Sequence, residues 1–269
     1  MCSGTVEERS ARLVARTFLG GGAARERGPL LLELDAPEIV AKSLPGQFLL
    51  VTCGEGSDPF LLRPLAVAGV RGEVLSLLVQ VRGEGTRRLA ALAPGSVLRL
   101  RGPLGTPFTT PKEAERLLCI AGGVGAAPLL FLAERWGGSV LLGIPDASWE
   151  GLVHHCVSRI GSSKVTVLSD DGSLGEKGNP CSFLASEKGS ALLAFPNTRI
   201  CACGPTGMLA ALAEALPPSL PYEASLETRM GCGYGGCLGC VVPTERGRLR
   251  ACVEGPVFAG REVRWHELG

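Results

Sequence analysis

The sequence predicts a multidomain α+β protein: an antiparallel β-barrel, then a doubly wound parallel α/β domain, then a small cysteine-rich appendage. Three observations support this fold class. Short apolar runs fill the first part of the chain, strand and helix patterns alternate through the middle, and four cysteines crowd the end. Because 269 residues suffice for two domains and an appendage, we expect units at 9–110, 111–217 and 218–269.

The first unit is predicted to be mostly β. Its apolar runs are short, and turn signals such as Pro45-Gly46 and Pro94-Gly95 separate them. Runs of this length and spacing are typical of an antiparallel barrel or sandwich. The predicted strands span 29–34, 47–51, 65–70, 74–81 and 97–100. A helical pattern follows Thr86, whose side chain suits the N-cap position of a helix.

The second unit shows the alternation of strands and helices that is typical of a parallel α/β sheet. Strand-like runs lie at 117–121, 139–144, 164–168 and 199–202, and helix-like runs lie at 126–136 and 206–216. Pro217-Pro218 and Pro221 then prevent the last helix from continuing. We therefore expect the second unit to end near residue 217.

Charge and hydropathy exclude several classes of partner. Lys plus Arg numbers 27 against 26 for Asp plus Glu, so neither a basic stripe for nucleic acid nor a polybasic patch for a membrane is expected. The longest apolar stretch, 117–133, contains three glycines and a proline and is too short to span a bilayer. The first residues lack the apolar core of a signal peptide. We expect a cytoplasmic protein without nucleic-acid or membrane partners.

Four cysteines near the end of the chain carry the strongest signal. Cys232, Cys237, Cys240 and Cys252 have the C-x4-C-x2-C-x11-C spacing of plant-type [2Fe–2S] ligands. Five glycines between 231 and 239 let the backbone approach inorganic sulfur and direct N–H groups at it. A structural zinc site and two disulfides remain the alternatives. The other seven cysteines are scattered in apolar surroundings and are predicted to be buried free thiols.

Two glycine turns in the second unit predict a nucleotide site. Gly122, Gly123 and Gly125 lie between a predicted strand and a predicted helix, and Cys203-Gly204-Pro205 has the same context later in the chain. Such turns bring a pyrophosphate close to a helix N-terminus, although tight packing alone would also select glycine. Because both turns would lie at the carboxyl edge of one parallel sheet, together they favour a dinucleotide.

The barrel contains a candidate anion site. Arg63 directly precedes the run Pro64-Leu65-Ala66, and Gly85-Thr86 opens a helical pattern. A guanidinium can bind a phosphate with two hydrogen bonds, and a helix N-terminus favours the same anion. An ordinary surface arginine and an ordinary capped helix are the alternative interpretation.

These motifs, taken in order, resemble those of the ferredoxin reductase superfamily, which pairs a flavin barrel with an NAD domain. The segment Glu227-Thr228-Arg229-Met230-Gly231-Cys232 and the closing Cys252-Val253-Glu254-Gly255-Pro256 are similar to the electron transfer subunit of class 1B dihydroorotate dehydrogenase. The resemblance runs from about residue 9 to residue 265. Its cluster segment is specific, whereas the nucleotide motifs are shared across the superfamily.

The resemblance implies three cofactors in this chain: FAD, a [2Fe–2S] cluster and NAD. It implies that the barrel residues Arg63, Pro64, Leu65, Ala66, Leu78, Val79, Gln80, Gly85 and Thr86 bind FAD. Gly122, Gly123, Gly125, Cys203, Gly204 and Pro205 would bind NAD, and the four cysteines would hold the cluster. One residue departs from the pattern: Ala66 stands where many superfamily members have a hydroxyl that can reach the flavin ring.

The resemblance also implies a partner. An FMN-containing catalytic subunit would oxidise dihydroorotate to orotate, with NAD+ reduced on this chain in a heterotetramer of two copies of each subunit. The residues themselves offer no catalytic acid–base pair, because His154 and His155 are adjacent on a predicted helix and point in different directions. Pro145-Asp146 after the second strand favours NADH, since Asp146 would repel a 2′-phosphate.

Two other functions remain open at this point. A subunit of the same construction could exchange electrons with ferredoxin or a hydrogenase module instead of a dihydroorotate dehydrogenase. A non-enzymatic binding protein stabilised by zinc could also retain the fold. The pairing of glycine turns with four suitably spaced cysteines favours the redox functions.

Overall fold

The first unit is a closed barrel of six antiparallel strands in the computed structural model, which describes residues 8–22, 28–54 and 59–268. The strands are β1 (Glu8–Phe18), β2 (Pro29–Asp35), β3 (Phe48–Val51), β4 (Arg63–Arg71), β5 (Val74–Gln80) and β6 (Val97–Leu104). Their order around the barrel is β1-β2-β5-β4-β3-β6. The five predicted strands are confirmed, and Cys2 lies outside the described residues.

Strand β1 was missing from the predicted strands for a physical reason. Its sequence alternates polar and charged residues with few apolar ones, and only Ala11 and Leu13 are buried. The barrel interior is instead filled by the other strands, through fully buried residues such as Leu32, Leu49 and Leu77. A strand that contributes so little to the core carries a weak hydrophobic signal.

Two short helices belong to the barrel: α1 (Pro37–Val40) and α2 (Glu84–Ala91). Helix α2 begins earlier than predicted, so the expectation that Thr86 is its N-cap was wrong. Gly83 occupies the N-cap, and Thr86 is the third helical residue. Its Oγ1 accepts hydrogen bonds from the backbone N–H groups of Arg82 at 2.9 Å and Gly83 at 3.1 Å. Thr86 therefore stabilises the helix start from inside the first turn.

The second unit is built on a seven-stranded sheet of order β10-β9-β8-β7-β11-β12-β15. Its strands are β7 (Arg116–Gly122), β8 (Ser139–Ile144), β9 (Val165–Ser169), β10 (Glu176–Lys177), β11 (Thr198–Cys203), β12 (Tyr222–Ser225) and β15 (Val257–Ala259). All neighbouring pairs are parallel except β12 and β15. The strands β12 and β15 come from beyond residue 217, so the sheet joins the second and third predicted units.

Helices cover both faces of this sheet, as a doubly wound fold requires. They are α3 (Ala126–Trp136), α4 (Glu150–Ile160), α5 (Pro180–Leu184), α6 (Glu187–Leu193) and α7 (Thr206–Ala215). In β7, Cys119 packs in the core that contains α3 and α4, whereas Ile120 packs in the core that contains α7. The predicted helices at 126–136 and 206–216 are confirmed to within one residue. Among the described residues, no helix is both long and apolar enough to cross a membrane.

The chain beyond β12 forms the third unit. It contains a loop through residue 240, followed by the hairpin of β13 (Val241–Thr244) and β14 (Gly247–Arg250). Val242 and Ala251 from this unit pack in one core with Phe48 and Leu50 of the barrel strand β3. The third unit is thereby held against the barrel as well as against the sheet.

A buried ion pair joins α4 to α3 within the second unit, next to the barrel. Arg159 of α4 makes two hydrogen bonds with Glu134 of α3, and the two side chains are 4% and 18% exposed. Arg71 of the barrel strand β4 lies 3.7 Å from the same carboxylate. His155 is half-buried nearby, and burial, followed by the positive charge of Arg159, lowers its pKa to about 4. His154, the adjacent histidine, is exposed.

We expect Arg159→Met to lower the free energy of unfolding by about 3 kcal/mol, because Glu134 would keep a largely buried charge without its main partner. The matched control is Arg246→Met, which removes an ion pair with Glu262 whose side chains are 62% and 38% exposed. That control should cost less than about 1 kcal/mol. Urea unfolding of both variants measures the difference, and equal losses would contradict a structural role for the buried pair.

Candidate cofactor cavities and cluster loop

A cavity of about 210 Å³, here called the barrel cavity, lies where the barrel meets the sheet and the third unit. Seven of the nine barrel residues predicted to bind FAD line it: Pro64, Leu65, Ala66, Leu78, Val79, Gln80 and Thr86. Arg63 and Gly85 are outside this lining and pack against each other, since a Cβ at Gly85 would lie 2.6 Å from Arg63 Nε. The predicted residues are thus brought together around one cavity and its margin.

A second cavity of about 560 Å³, the sheet cavity, lies over the carboxyl edge of the sheet. Four of the six residues predicted to bind NAD line it: Gly122, Gly123, Gly204 and Pro205. The other two lie differently. Cys203 lines the barrel cavity, and Gly125 packs so tightly on the Cys203 carbonyl that no Cβ could fit there. Tight packing therefore accounts for Gly125, whereas Gly122 and Gly123 border the cavity where a dinucleotide was predicted.

The two cavities adjoin. Gln80, Arg82, Val124 and Glu227 line both of them, and they come from the barrel, the sheet and the start of the third unit. Burial raises the pKa of the Glu227 carboxyl, and the charge of Arg82 opposes that shift. A flat ligand in the barrel cavity would therefore meet a second ligand in the sheet cavity at this junction.

Sequence reasoning missed several residues at the junction. Arg82, Glu227, Thr228 and Met230 line the barrel cavity, yet none was a predicted binding residue. Glu227 and Thr228 lie two and three residues after the end of β12, at the same sheet edge as the two glycine turns. Assigning residues 222–225 to the parallel sheet would have identified them. The sequence did not predict that assignment, because these residues follow the prolines at 217, 218 and 221, where the second unit was expected to end.

Asp146, which was expected to influence the choice of coenzyme, lies outside the lining of the sheet cavity. Asp146 accepts a hydrogen bond from the Ser148 backbone N–H at 2.8 Å and starts a short 3₁₀ turn, and it is not among the lining residues. Asp170, which follows β9, lines the cavity and is exposed. Asp171 is instead used locally, because its carboxylate accepts from Ser173. Asp170 and Glu227 are therefore the acidic side chains that line the sheet cavity within the described residues.

The cluster loop, residues 226–240, contains three of the predicted cluster cysteines, with Cys232 next to Cys237, and Cys252 lies next to Cys240 after the hairpin. Cys240 and Cys252 are buried, Cys232 is half-buried and Cys237 is exposed. Backbone N–H groups point at the sulfurs: Cys237 N lies 3.4 Å from Cys232 Sγ, and Gly239 N lies 3.5 Å from Cys237 Sγ. Burial raises the pKa of Cys232, but backbone hydrogen bonds from Tyr234, Cys237 and Gly236 outweigh it and lower the pKa to about 6.

The loop backbone fits an iron–sulfur cluster. Gly233 and Gly235 have left-handed φ values of +79° and +85°, which side chains disfavour. A Cβ at Gly231 would approach Cys237 Sγ to 3.3 Å, so glycine keeps space free beside the sulfur. Thiolate donors surrounded by N–H groups are the environment in which such clusters are held and tuned. Among the described residues, no three His, Cys, Asp or Glu side chains are gathered closely enough to hold a single metal ion.

The cluster loop and the barrel cavity lie against the same strand, β3. Gly233 packs on the Leu50 side chain so closely that a Cβ would collide with it. Phe48, two residues earlier, lines the barrel cavity together with Met230 of the cluster loop. Cys240 and Cys252 belong to the same hydrophobic core as Phe48, Leu50 and Met230, so the cluster loop and the barrel cavity share one core.

Comparisons with known proteins agree with this arrangement. Residues 227–264 match the model of the iron-sulfur cluster binding domain of dihydroorotate dehydrogenase B. The chain is 37% identical over 246 residues to the dihydroorotate dehydrogenase B (NAD(+)) electron transfer subunit of Desulforamulus reducens, covering 87% of this chain and 92% of that one. It is 36% identical to the subunit of the same name from Caldanaerobacter subterraneus subsp. tengcongensis, covering 82% and 87%.

Solved structures give the same result for the fold. An NADH-dependent reduced ferredoxin-NADP oxidoreductase matches with a TM-score of 0.80 and 25% identity, covering 100% of this chain and 93% of that one. Phthalate dioxygenase reductase matches with a TM-score of 0.61 at 14% identity, covering 94% and 95%, and supports the fold alone. Since relatives above 30% identity are covered over most of their length, the chain belongs to the electron transfer subunits of dihydroorotate dehydrogenase B (NAD+), an oxidoreductase family.

Proposed function

We propose that this chain carries electrons between an FMN-containing catalytic subunit, which oxidises dihydroorotate to orotate, and NAD+, using a [2Fe–2S] cluster and FAD. The proposal rests on how close the two cavities and the cluster loop are to one another. The barrel cavity adjoins the sheet cavity, and strand β3 contacts both the barrel cavity and the cluster loop. When bound, FAD exchanges a hydride with a nicotinamide coenzyme and single electrons with an iron–sulfur cluster. The protein's part is to bind, orient and shield these groups.

The barrel residues would bind FAD by shape and by charge. Ala66 and Leu78 provide apolar walls for the ring system, and Gln80 adds a polar side chain at the junction. Arg63 lies beside Gly85 at the start of α2, so a guanidinium and helix N–H groups are available together for a pyrophosphate. Arg63 Nη1 already donates to the Leu61 carbonyl at 2.5 Å, which fixes the orientation of the guanidinium.

The sheet residues would bind NAD at the starts of two helices. Gly122 and Gly123 precede α3, and Gly204-Pro205 precede α7. The turns touch, because a Cβ at Gly204 would lie 3.0 Å from Gly122 Cα. The missing side chains give a pyrophosphate access to backbone N–H groups, and the helix dipoles favour its charge.

We also propose a cytoplasmic location, with the catalytic subunit as partner in a heterotetramer. All ten cysteines within the described residues are free. Cys119 and Cys201 are paired in register on β7 and β11 yet remain thiols, and such unpaired thiols are typical of reducing compartments.

The surface around Cys237 is the proposed contact with the catalytic subunit. Cys237 is the exposed cluster cysteine, and Tyr234 and Leu238 beside it are 60% and 61% exposed. Tyrosine is enriched in protein interfaces, and the exposed leucine adds apolar surface next to it. A partner seated here would approach the cluster directly.

Ferredoxin is the second candidate partner, because the solved oxidoreductase named for reduced ferredoxin and NADP matches the whole chain. The higher identity of the dihydroorotate dehydrogenase B subunits favours the first candidate. The two are separated by co-expressing this chain with the FMN-containing subunit and adding dihydroorotate. Reduction of the cluster and of NAD+ is the expected result, whereas an active partner that reduces neither would favour ferredoxin.

Cys240→Ser should block electron transfer to the partner and leave reduction of the flavin by NADH largely intact. One of four thiolates would be lost from the cluster, while Cys240 itself does not line either cavity. Iron content, and stopped-flow absorbance of flavin and partner, measure the two steps. Cys156→Ala removes a buried thiol of α4 and serves as the control, with both steps retained. Loss of flavin reduction in Cys240→Ser would show that the loop also maintains the FAD site.

Asp170→Asn should improve the use of NADPH relative to NADH by about tenfold, because about 1.4 kcal/mol of repulsion against a 2′-phosphate would be removed. The ratio of kcat/KM for the two coenzymes is the measurement. Asp146→Asn is the matched control and should leave the ratio unchanged, since Asp146 lies outside the cavity lining. If only Asp146→Asn changed the ratio of kcat/KM for the two coenzymes, Asp146, the residue expected from the sequence, would determine coenzyme selectivity instead of Asp170.

Tyr234→Ala should weaken binding of the catalytic subunit by about tenfold, as loss of an aromatic anchor does at many interfaces. Reduction of the flavin by NADH should not change. Phe195→Ala is the control, because Phe195 is 50% exposed and lies before β11, at the sheet edge away from both cavities. Calorimetric titration with the partner measures affinity, and equal effects of the two changes would argue against the proposed contact surface.

A further inference from the structure

Thr228 has a buried hydroxyl without a partner. Its Oγ1 is closed off from solvent and makes no hydrogen bond, a state shared within the described residues only with His155 Nε2. Thr228 also lines the barrel cavity. It stands three residues after the end of β12 and four before Cys232. An unused polar group therefore lies between the sheet, the cavity and the cluster loop.

A hydroxyl in this state is uncommon, because an unpaired buried polar group costs free energy. Other hydroxyls around the same cavity do have partners. Thr86 Oγ1 accepts from the Gly83 N–H, and the Ser225 hydroxyl hydrogen-bonds with the Cys203 thiol. The exception at Thr228 calls for a partner that is not part of the chain.

The cavity itself indicates the chemistry of that partner. Its lining includes the apolar residues Phe48, Ala66, Met230 and Pro256. A flat ring system bound there would have apolar faces, and its ring nitrogens and carbonyl oxygens would need polar partners such as Thr228 at the edge. Rotation about the Thr228 Cα–Cβ bond moves the hydroxyl between staggered positions, so it can turn towards such a ring at small cost.

We infer that Thr228 hydrogen-bonds the polar edge of the FAD ring system and supplies from the cluster side the hydroxyl contact that Ala66 cannot supply from the barrel. The inference rests on the proposed function, since it requires FAD in the barrel cavity. It makes Thr228 a binding residue of the flavin on the segment that continues into the first cluster cysteine.

The test compares Thr228→Val, which keeps the shape of the side chain without the hydroxyl, with Thr228→Ser, which keeps the hydroxyl. Full-length chains are stripped of FAD and titrated with FAD. We expect Thr228→Val to bind FAD about tenfold more weakly, with a shifted flavin absorption band, and Thr228→Ser to bind within about twofold of the parent. Thr198→Val is the control, because the Thr198 hydroxyl donates to the Phe195 carbonyl at the far edge of the sheet.

Thermal unfolding gives a second readout that a merely structural threonine would not produce. Without FAD, Thr228→Val should be at least as stable as the parent, because it removes an unpaired buried hydroxyl. With FAD, the order should reverse. A Thr228→Val chain that binds FAD like the parent, with an unchanged spectrum, would overturn the inference alone. A parent chain that binds no FAD would overturn the proposed function with it.

Discussion

The close packing of the cluster loop on strand β3 is the constraint on which the rest of the structure depends. Gly233 touches Leu50, and Phe48 of the same strand lines the barrel cavity, so the cluster loop and the cavity contact one strand. A side chain at Gly233 would collide with Leu50 and would also disfavour the left-handed backbone. Electron carriers must lie close together yet be shielded from water, and this contact satisfies both requirements.

The third unit gains its position from the sheet. Strand β12 pairs with β11, β15 pairs with β12, and the cluster loop leaves and returns between these two strands. Both ends of the cysteine-rich segment are therefore fixed to the domain that holds the glycine turns. Glu227, which lines both cavities, lies only two residues after the end of β12, so the start of the cluster loop is fixed close to a paired strand.

The sequence predicted the local features well and the junction poorly. The strands at 74–81 and 139–144 and the helix at 126–136 were clear, because each has an apolar run of suitable length with a turn signal beside it. The cysteine spacing was equally local. Arg82, Asp170 and Thr228 were missed because their roles depend on which elements the fold brings together. The sequence predicted Thr86 at the N-cap of α2, but it is the third residue of the helix. A threonine that caps from the third position cannot be told from an N-cap threonine by sequence alone.

Ala66 and Thr228 illustrate how one contact can be supplied from either of two units. The barrel provides the apolar wall that a flavin ring needs, but at Ala66 it offers no hydroxyl. A hydroxyl from Thr228 would couple the flavin ring to the cluster loop, because Thr228 belongs to the segment that contains Cys232. A hydroxyl at position 66 would not create this connection. Any movement of the cluster loop would change the flavin's polar contacts, so occupancy of the barrel cavity and order in the cluster loop would stabilise each other.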